Sequence, residues 1–364
     1  MFIRQLALLN FKNIRQAEIS FSPKINCFIG HNGSGKTNIL DAIYFLSYCK
    51  SHNVTIDSQC ITHDEDFFVI QGTYHLEPDG EDHIYCGLKR NRKKQFKRNQ
   101  KEYGRLSEHI GRIPLVLVSP DDQVLITGGS EERRRFIDSI ISQFDHEYLQ
   151  LLIHYNTALQ QRNALLKQSE MPPDEMLEIW EQQMHDLGSV LYDRRRSFME
   201  DFVPIFQHYY QILSGGHETV SLTYQSQVKD APLADQLRER RQRDHYLGFS
   251  TCGIHRDDLE MNIEDYPIRR VGSQGQNKTF LIALKLAQFS FLKKTSKTTP
   301  LLLFDDIFDK LDAHRVRQII QLVTEDNFGQ IFITDTNREH IDEILSQIEQ
   351  EAFLFHVENG EIIS

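Results

Sequence analysis

The sequence predicts an α/β fold in two lobes: a nucleotide-binding core and a mostly helical second lobe, with no long coiled coil. Three observations predict it. A glycine-rich loop sits between an apolar run and a helical repeat, a second apolar run far downstream ends in two carboxylates, and the texture turns helical after Gly128-Gly129. The core takes residues 1–125 and 296–364 and the helical lobe residues 126–295.

The first element runs from Ile25 to Ile29 as a buried strand and continues into Gly30-His31-Asn32-Gly33-Ser34-Gly35-Lys36-Thr37-Asn38. Gly30, Gly35, Lys36 and Thr37 fit the phosphate-binding pattern G-x-x-x-x-G-K-[ST]. Glycine lets the backbone wrap a polyphosphate, because no Cβ blocks close approach or positive φ. The N–H groups of the loop, then the start of the next helix, point partial positive charge at the anion. Lys36 adds a full charge near the outer phosphates, and the Thr37 hydroxyl is the expected magnesium ligand. Ile39, Leu40, Ile43 and Leu46 then repeat at helical spacing. A polyphosphate with Mg2+ is the ligand this loop implies.

Around it, Leu6, Leu8 and Phe11 alternate as a strand, and Ile19 and Phe21 form a second. With the loop strand they read as a short antiparallel edge leading into the core. Strand character resumes from Phe67 to Tyr74 and at Ile84, Cys86 and Leu88. Lys89, Arg90, Arg92, Lys93, Lys94, Lys97, Arg98 and Lys101 then fill eight of thirteen positions. Such a block on a hairpin is the footprint of a surface meeting nucleic-acid phosphates, or else a solvated hairpin tip. Ile113 to Val118 is a further buried strand. From Ser130 to about His208 the pattern is helical, with breaks expected near Pro172-Pro173 and at Pro204. The clusters Arg133 to Arg135 and Arg194 to Arg196 lie on these helices, where salt bridges explain them at least as well as DNA contacts. Val220 to Tyr224 reads as a strand and Ala231 to Arg243 as a basic helix.

Downstream, Pro300 to Asp306 is an apolar strand ending in two acids, the form of a Walker B element. Asp305 would hold magnesium, and Asp306 sits where a base can orient the attacking water. Lys36 and Asp306 are thus the expected catalytic pair, with Thr37 and Asp305 on the metal.

Composition sets bounds. With 364 residues, 40% hydrophobic and 26% charged, the chain can bury a substantial core. No apolar run approaches the roughly 20 residues of a membrane span, and the start lacks a secretion-signal pattern. Five cysteines without a C-x-x-C pair argue against a disulfide framework or a zinc site and for a reducing cytoplasm. The formal net charge of −11 alone argues against nucleic acid, but a groove of one sign acts locally within about 10 Å.

Ser273-Gln274-Gly275-Gln276 opens a helix carrying Phe280, Leu281 and Leu284, and resembles the signature motif of the ABC ATPases. Asp309-Lys310-Leu311-Asp312 resembles their D-loop, with Asp312 at its acidic position. Within that superfamily the chain is similar over essentially its whole length to the bacterial RecF family of DNA replication and repair proteins. The register Leu6 to Asn13 carries that likeness, as do Gly128 with Arg133 to Phe136, Leu159 to Asn163, and His255 to Leu259. The resemblance implies a P-loop ABC-type ATPase head whose signature serine meets ATP held by a second copy. It further implies an ATP-dependent homodimer on double-stranded DNA or single-strand/double-strand junctions, cytoplasmic, with RecO and RecR mediators as partners. Four departures stand out. Asp306 replaces the usual glutamate, which should give slow turnover. Thr334 or Asp335 replaces the switch histidine, and Ser119 and Gln123 stand near the usual glutamine. Gly253-Ile254 replaces Gly-Pro before His255.

Two other classes compete: an ABC-type ATPase nuclease, which needs an acidic domain beyond the ATPase, and a non-catalytic scaffold with structural ATP. His255-Arg256-Asp257 with Asn262 matches the kinase catalytic loop by coincidence, since the other kinase motifs are missing.

Overall fold

In the computed structural model, residues 1–76, 80–307, 313–324, 328–346 and 351–363 are described. The chain divides into two compact units, Met1–Asp122 with Leu284–Ser364, and Gln123–Ala283.

The first unit opens with β1 (Phe2–Phe11) and β2 (Ile14–Ser20), an antiparallel hairpin with Leu6 opposite Ile19. Leu6 and Leu8 point inward, as their alternation requires. The next strand, β3 (Ile25–Ile29), leaves this hairpin for a different sheet, so the expected antiparallel edge does not include it. All five of its residues are buried, the mark of a strand covered on both faces. The helix Lys36–Tyr48 follows directly. Then β4 (Phe67–Leu76), β5 (Gly80–Lys89), β6 (Gln95–Arg98) and β7 (Lys101–Glu102) complete an antiparallel sheet in the order β2-β1-β4-β5-β6-β7. Phe45 of the helix packs edge-on against Phe11 and Phe68 of this sheet, with ring centroids 6.3 and 5.6 Å away. Each such buried ring contributes roughly 1.5–3 kcal/mol, so the helix that carries the loop is fixed by aromatic packing. A short strand, β8 (Leu115–Val118), ends this part of the unit.

After a short helix, Val124–Thr127, the second unit runs through three longer ones, Ser130–Phe144, His146–Leu166 and Asp174–Ser214. Asp145 caps the second by accepting from the Tyr148 N–H at 2.9 Å. The third runs straight through Pro204 for 41 residues, where the sequence suggested a break. Pro204 lies on the exposed side, so the Glu200 carbonyl it cannot serve faces water. Phe198, Phe202, Phe206 and Tyr210 bury the opposite face. A three-stranded sheet follows, ordered β11-β10-β9, from β9 (Val220–Gln225), β10 (Asp258–Ile263) and β11 (Tyr266–Pro267). The expected basic helix from Ala231 is instead two short ones, Leu233–Glu239 and Arg241–Leu247. They part at Arg240, whose ψ of 3° is off the helical value.

The helix Gln274–Thr295 begins in the second unit and ends in the first. There β12 (Leu301–Asp305), β13 (Ile331–Asp335), β14 (Ala352–Glu358) and β15 (Glu361–Ile363) complete the core sheet, ordered β15-β14-β3-β13-β12-β8. All its pairings are parallel except β14 with β15. In register, Asp305 lies beside Thr334, and Asp335 beside Ile29. The carboxyl ends of β3, β13 and β12 therefore reach one rim, where ligands bind in open parallel sheets. All five cysteines are free and buried, and burial pushes the Cys27 and Cys49 thiols up to about 12. Among the described residues, no helix is long and apolar enough to cross a membrane.

Candidate nucleotide site

The loop after β3 is built around positions that exclude a side chain. A Cβ on Gly30 would lie 2.1 Å from the Val357 carbonyl oxygen, and Gly33 and Gly35 hold φ of 78° and 121°. Asn32, Gly33, Gly35, Lys36, Thr37, Asn38 and Asp306 line a cavity of about 150 Å³, room for a phosphate chain rather than a whole nucleotide. The Lys36 ammonium folds over the loop and donates to the carbonyls of Gly30 (2.7 Å) and His31 (3.1 Å). Burial pulls its pKa down, and Asp306, Asp305 and Asp335 pull the other way.

At the rim, the Thr37 hydroxyl donates to Asp305 Oδ1 at 2.9 Å, and Thr334 Oγ1 donates to the same oxygen at 2.7 Å. Burial raises the Asp305 pKa, a pull these two donors resist. Asp306 follows with φ of 50°, and its N–H is held by the Thr334 hydroxyl (3.0 Å) and carbonyl (3.2 Å). Thr334 thus fixes both acids. Asp335, the other residue in the switch position, accepts from the Asn337 N–H at 2.7 Å.

The residues fit magnesium-bound ATP. The Ser34 hydroxyl is buried in the loop with no hydrogen-bond partner among the described residues, an orphan a phosphate oxygen satisfies. Thr37 and Asp305 offer paired hard oxygens, the donors magnesium prefers.

Two braces of the loop escaped the sequence reading. Asn13, in the β1–β2 turn, donates to the carbonyls of Ser34 (3.1 Å) and Gly33 (3.3 Å) and accepts from the Asn38 side chain at 2.7 Å. The Gly360 N–H, in the β14–β15 turn, donates to the Ser34 carbonyl at 2.7 Å. The only sequence signal for either was a polar turn residue.

In the second unit, Ser273 and Gln276 form a reciprocal cap. The Gln276 N–H donates to Ser273 Oγ at 3.2 Å, and the Ser273 N–H to Gln276 Oε1 at 2.7 Å. The Gln276 amide donates in turn to Glu218 (2.7 Å), whose other oxygen accepts from the Tyr210 hydroxyl. Ser273 and Gln274 are exposed, with Gly275 half-buried beside them. The start of this helix therefore presents oriented, unspent N–H groups to solvent. Glu218, like Asn13 and Gly360, carried no signal of this role in the sequence. Asp312, with the rest of Asp309-Lys310-Leu311-Asp312, lies outside the described residues.

The basic run divides. Lys89, Arg90, Arg92, Lys93 and Lys101 are exposed. Lys94 bonds Asp57 and the Cys49 carbonyl, Arg98 pairs with Asp82 at 2.7 Å, and Lys97 lies 5.4 Å over the Tyr85 ring. Five of the six helical arginines form salt bridges: Arg133 with Asp258, Arg135 with Glu131, Arg194 with Asp145 and Glu147, Arg195 with Asp138 and Asp257, and Arg196 with Asp193, while Arg134 donates to the Asp257 carbonyl. The His255 loop is structural as well. Its Asp257 carboxylate accepts from Arg195 at 2.9 Å and from the Tyr224 hydroxyl, and burial with adjacent arginines holds His255 down to about 4. At the end of β8, Lys285 pairs with buried Asp122 at 2.6 Å, while Gln123 is exposed.

A phosphate loop on a parallel sheet, two acids closing the strand next but one, and a serine-capped signature helix define a P-loop ATPase head of the ABC type. Residues 2–362 match the family model described as the RecF/RecN/SMC N terminal domain. The chain is 57% identical to the DNA replication and repair protein RecF of Bacteroides thetaiotaomicron, covering 100% of this chain and 98% of that one. To the protein of the same name from Porphyromonas gingivalis it is 49% identical, covering all of both. It superposes on the solved recombination mediator protein RecF-ATP of the RecFOR pathway with a TM-score of 0.89 at 27% identity, covering 100% of this chain and 97% of that one. An SMC head bound to the C-winged helix domain of ScpA shares the fold, with a TM-score of 0.61 at 18% identity. The chain belongs to the RecF family.

Proposed function

We propose that the chain is an ATP-dependent DNA-binding protein of recombinational repair and replication restart. ATP binding drives head-to-tail dimerisation on double-stranded DNA or at single-strand/double-strand junctions, and slow hydrolysis releases it. On DNA it helps RecO- and RecR-type mediators load recombinase at gaps. The observation that carries this reading is that Lys36, Thr37 and Asp306 line one phosphate-sized cavity, with Asp305 bonded to Thr37 beside it. The relatives' names, and a solved RecF-ATP structure of the same fold, support the DNA-repair setting.

Magnesium-bound ATP supplies the scissile phosphoanhydride and, with its ion, neutralises charge that builds on the transferred phosphoryl group. The chain's own residues do the rest. The loop N–H groups and the Ser34 hydroxyl hold the phosphate oxygens, and Lys36 carries compensating charge. Thr37 and Asp305 hold the ion, and Asp306, pinned by Thr334, orients the attacking water. The short Asp306 side chain reaches less far than a glutamate, which suits slow turnover. The Ser273 helix of a second copy meets the outer phosphate, so ATP acts as a switch by binding the closed pair better than the open one. The five exposed cations of the 89–101 hairpin meet DNA phosphates.

Sedimentation with and without ATP and a gapped duplex tests this. Association should need both ATP and the intact loop, and DNA binding should weaken steeply with salt. A chain that stays monomeric with every nucleotide contradicts the switch. Asp306→Asn should trap an ATP-bound dimer on DNA, and normal release by this variant would remove Asp306 as the base. Glu218→Ala should loosen ATP-dependent association by roughly tenfold, the weight of one charge-assisted hydrogen bond, with ATP affinity of the monomer unchanged. Equal association constants in the two proteins would leave Glu218 a purely local role.

A further inference from the structure

The second unit carries an aromatic turn that the nucleotide site does not use. The helix Arg241–Leu247 stops at Gly248, whose φ of 73° reverses the chain. The Gly248 N–H donates to the His245 carbonyl and the Phe249 N–H to the Asp244 carbonyl, both at 3.2 Å. The turn leaves Tyr246 88% exposed, Leu247 41% and Phe249 39%. Among the described residues the Tyr246 side chain has no hydrogen bond and no ring contact. Single exposed apolar residues are ordinary, but three within four positions on one turn are not.

Cations lie on and beside this turn. The Arg256 guanidinium lies 4.9 Å over the Phe249 ring, Arg243 and Lys167 are exposed, and Lys167 borders Gly248. Arg238, by contrast, is paired with Asp235.

Beneath the turn is a buried ionic network. Asp244, fully buried, accepts from Arg162 at 2.7 Å and from the Thr251 hydroxyl and N–H at 2.7 and 3.1 Å. Ser250, next to Phe249, is tied to Arg162 and Asn163, each at 2.8 Å. The rings are thus presented on a rigid base, so little ordering entropy is lost when something stacks on them.

We propose that this turn is a stacking platform for the unpaired bases of single-stranded nucleic acid, with Arg243, Arg256 and Lys167 meeting its phosphates. The proposal rests on the DNA-binding reading above. Charge favours nucleic acid over an apolar protein patch. The chain carries −11 overall, yet these rings sit among cations, which an apolar partner would desolvate without compensation and phosphates would neutralise. Aromatic faces also accept any base.

The full-length chain is titrated, with ATP present, into a blunt duplex and the same duplex bearing an oligothymidine tail, followed by fluorescence anisotropy. The double variant Tyr246→Ala/Phe249→Ala should bind the tailed duplex about tenfold more weakly or worse, with blunt-duplex affinity and melting temperature unchanged. Tyr246→Phe should behave as the original chain, since the ring and not the hydroxyl stacks. Equal affinity of the double variant and the original chain for the tailed duplex overturns the platform and assigns the surface to a protein partner. An equal loss on both duplexes overturns it too, because paired bases offer no face to stack. If the original chain binds neither duplex, the DNA-binding reading falls and takes the platform with it.

Discussion

Lys36→Ala should abolish the proposed ATP-dependent association of the chain and lower hydrolysis by at least about a hundredfold, the usual loss when one preorganised donor to a developing charge is removed. The Lys36 ammonium touches only the carbonyls of Gly30 and His31 in the hydrogen bonds of the loop, and its burial already disfavours the charged form. The loop keeps its shape without it, because Asn13 and Gly360 hold the Ser34 carbonyl from outside. The fold should therefore survive while the site loses the charge that Lys36 carries. Light scattering with saturating ATP reads the association, and a thermal melt without nucleotide serves as the control. A variant that still dimerises on ATP, with an unchanged melt, would place the phosphates elsewhere.

Asp244→Ala should cost about 3–5 kcal/mol of stability, the range for removing one partner of a fully buried ion pair. Arg162 and Asp244 are both 0% exposed in their side chains, and Arg162 also bonds Glu181, which Arg241 shares. Among the buried members, Arg162 and Arg241 face Asp244 and Glu181, and Arg241 also meets the exposed Asp174 and Glu178. Removing Asp244 leaves the fully buried Arg162 to share Glu181 with Arg241, out of reach of water. The double replacement Arg162→Met/Asp244→Leu should recover much of the loss, because apolar packing removes the desolvation cost altogether. The midpoint of denaturant unfolding measures both, provided the slope of the transition is unchanged. A single variant within about 1 kcal/mol of the original chain would mean that water enters the cluster.

The nucleotide loop was legible because its chemistry is local. Gly30, Gly35, Lys36 and Thr37 lie within eight positions, and the backbone they need follows from their own φ preferences. The acids at Asp305 and Asp306 were legible for a similar reason, since four buried apolar residues ending in carboxylates describe one strand and its rim. Pro204 misled because its cost depends on which side of the helix meets water, a fact set by packing and not by the residue. The basic run misled in part: eight charges in thirteen positions gave a footprint, but pairing with Asp57 and Asp82 and stacking on Tyr85 remove three from the free surface.

The sequence by itself determined the fold class, the loop, the two acids and the signature serine, because each depends on residues close along the chain. Only the tertiary structure decided what holds them in place. Thr334 joins Asp305 across neighbouring parallel strands, Asn13 reaches Ser34 from another turn, and Glu218 orients Gln276 over 58 positions of chain. Parallel strands and braced turns bring together residues of arbitrary separation, so no window of sequence contains both members of such a pair. Hydrogen bonds and ion pairs act over about 3 Å in space whatever their distance along the chain.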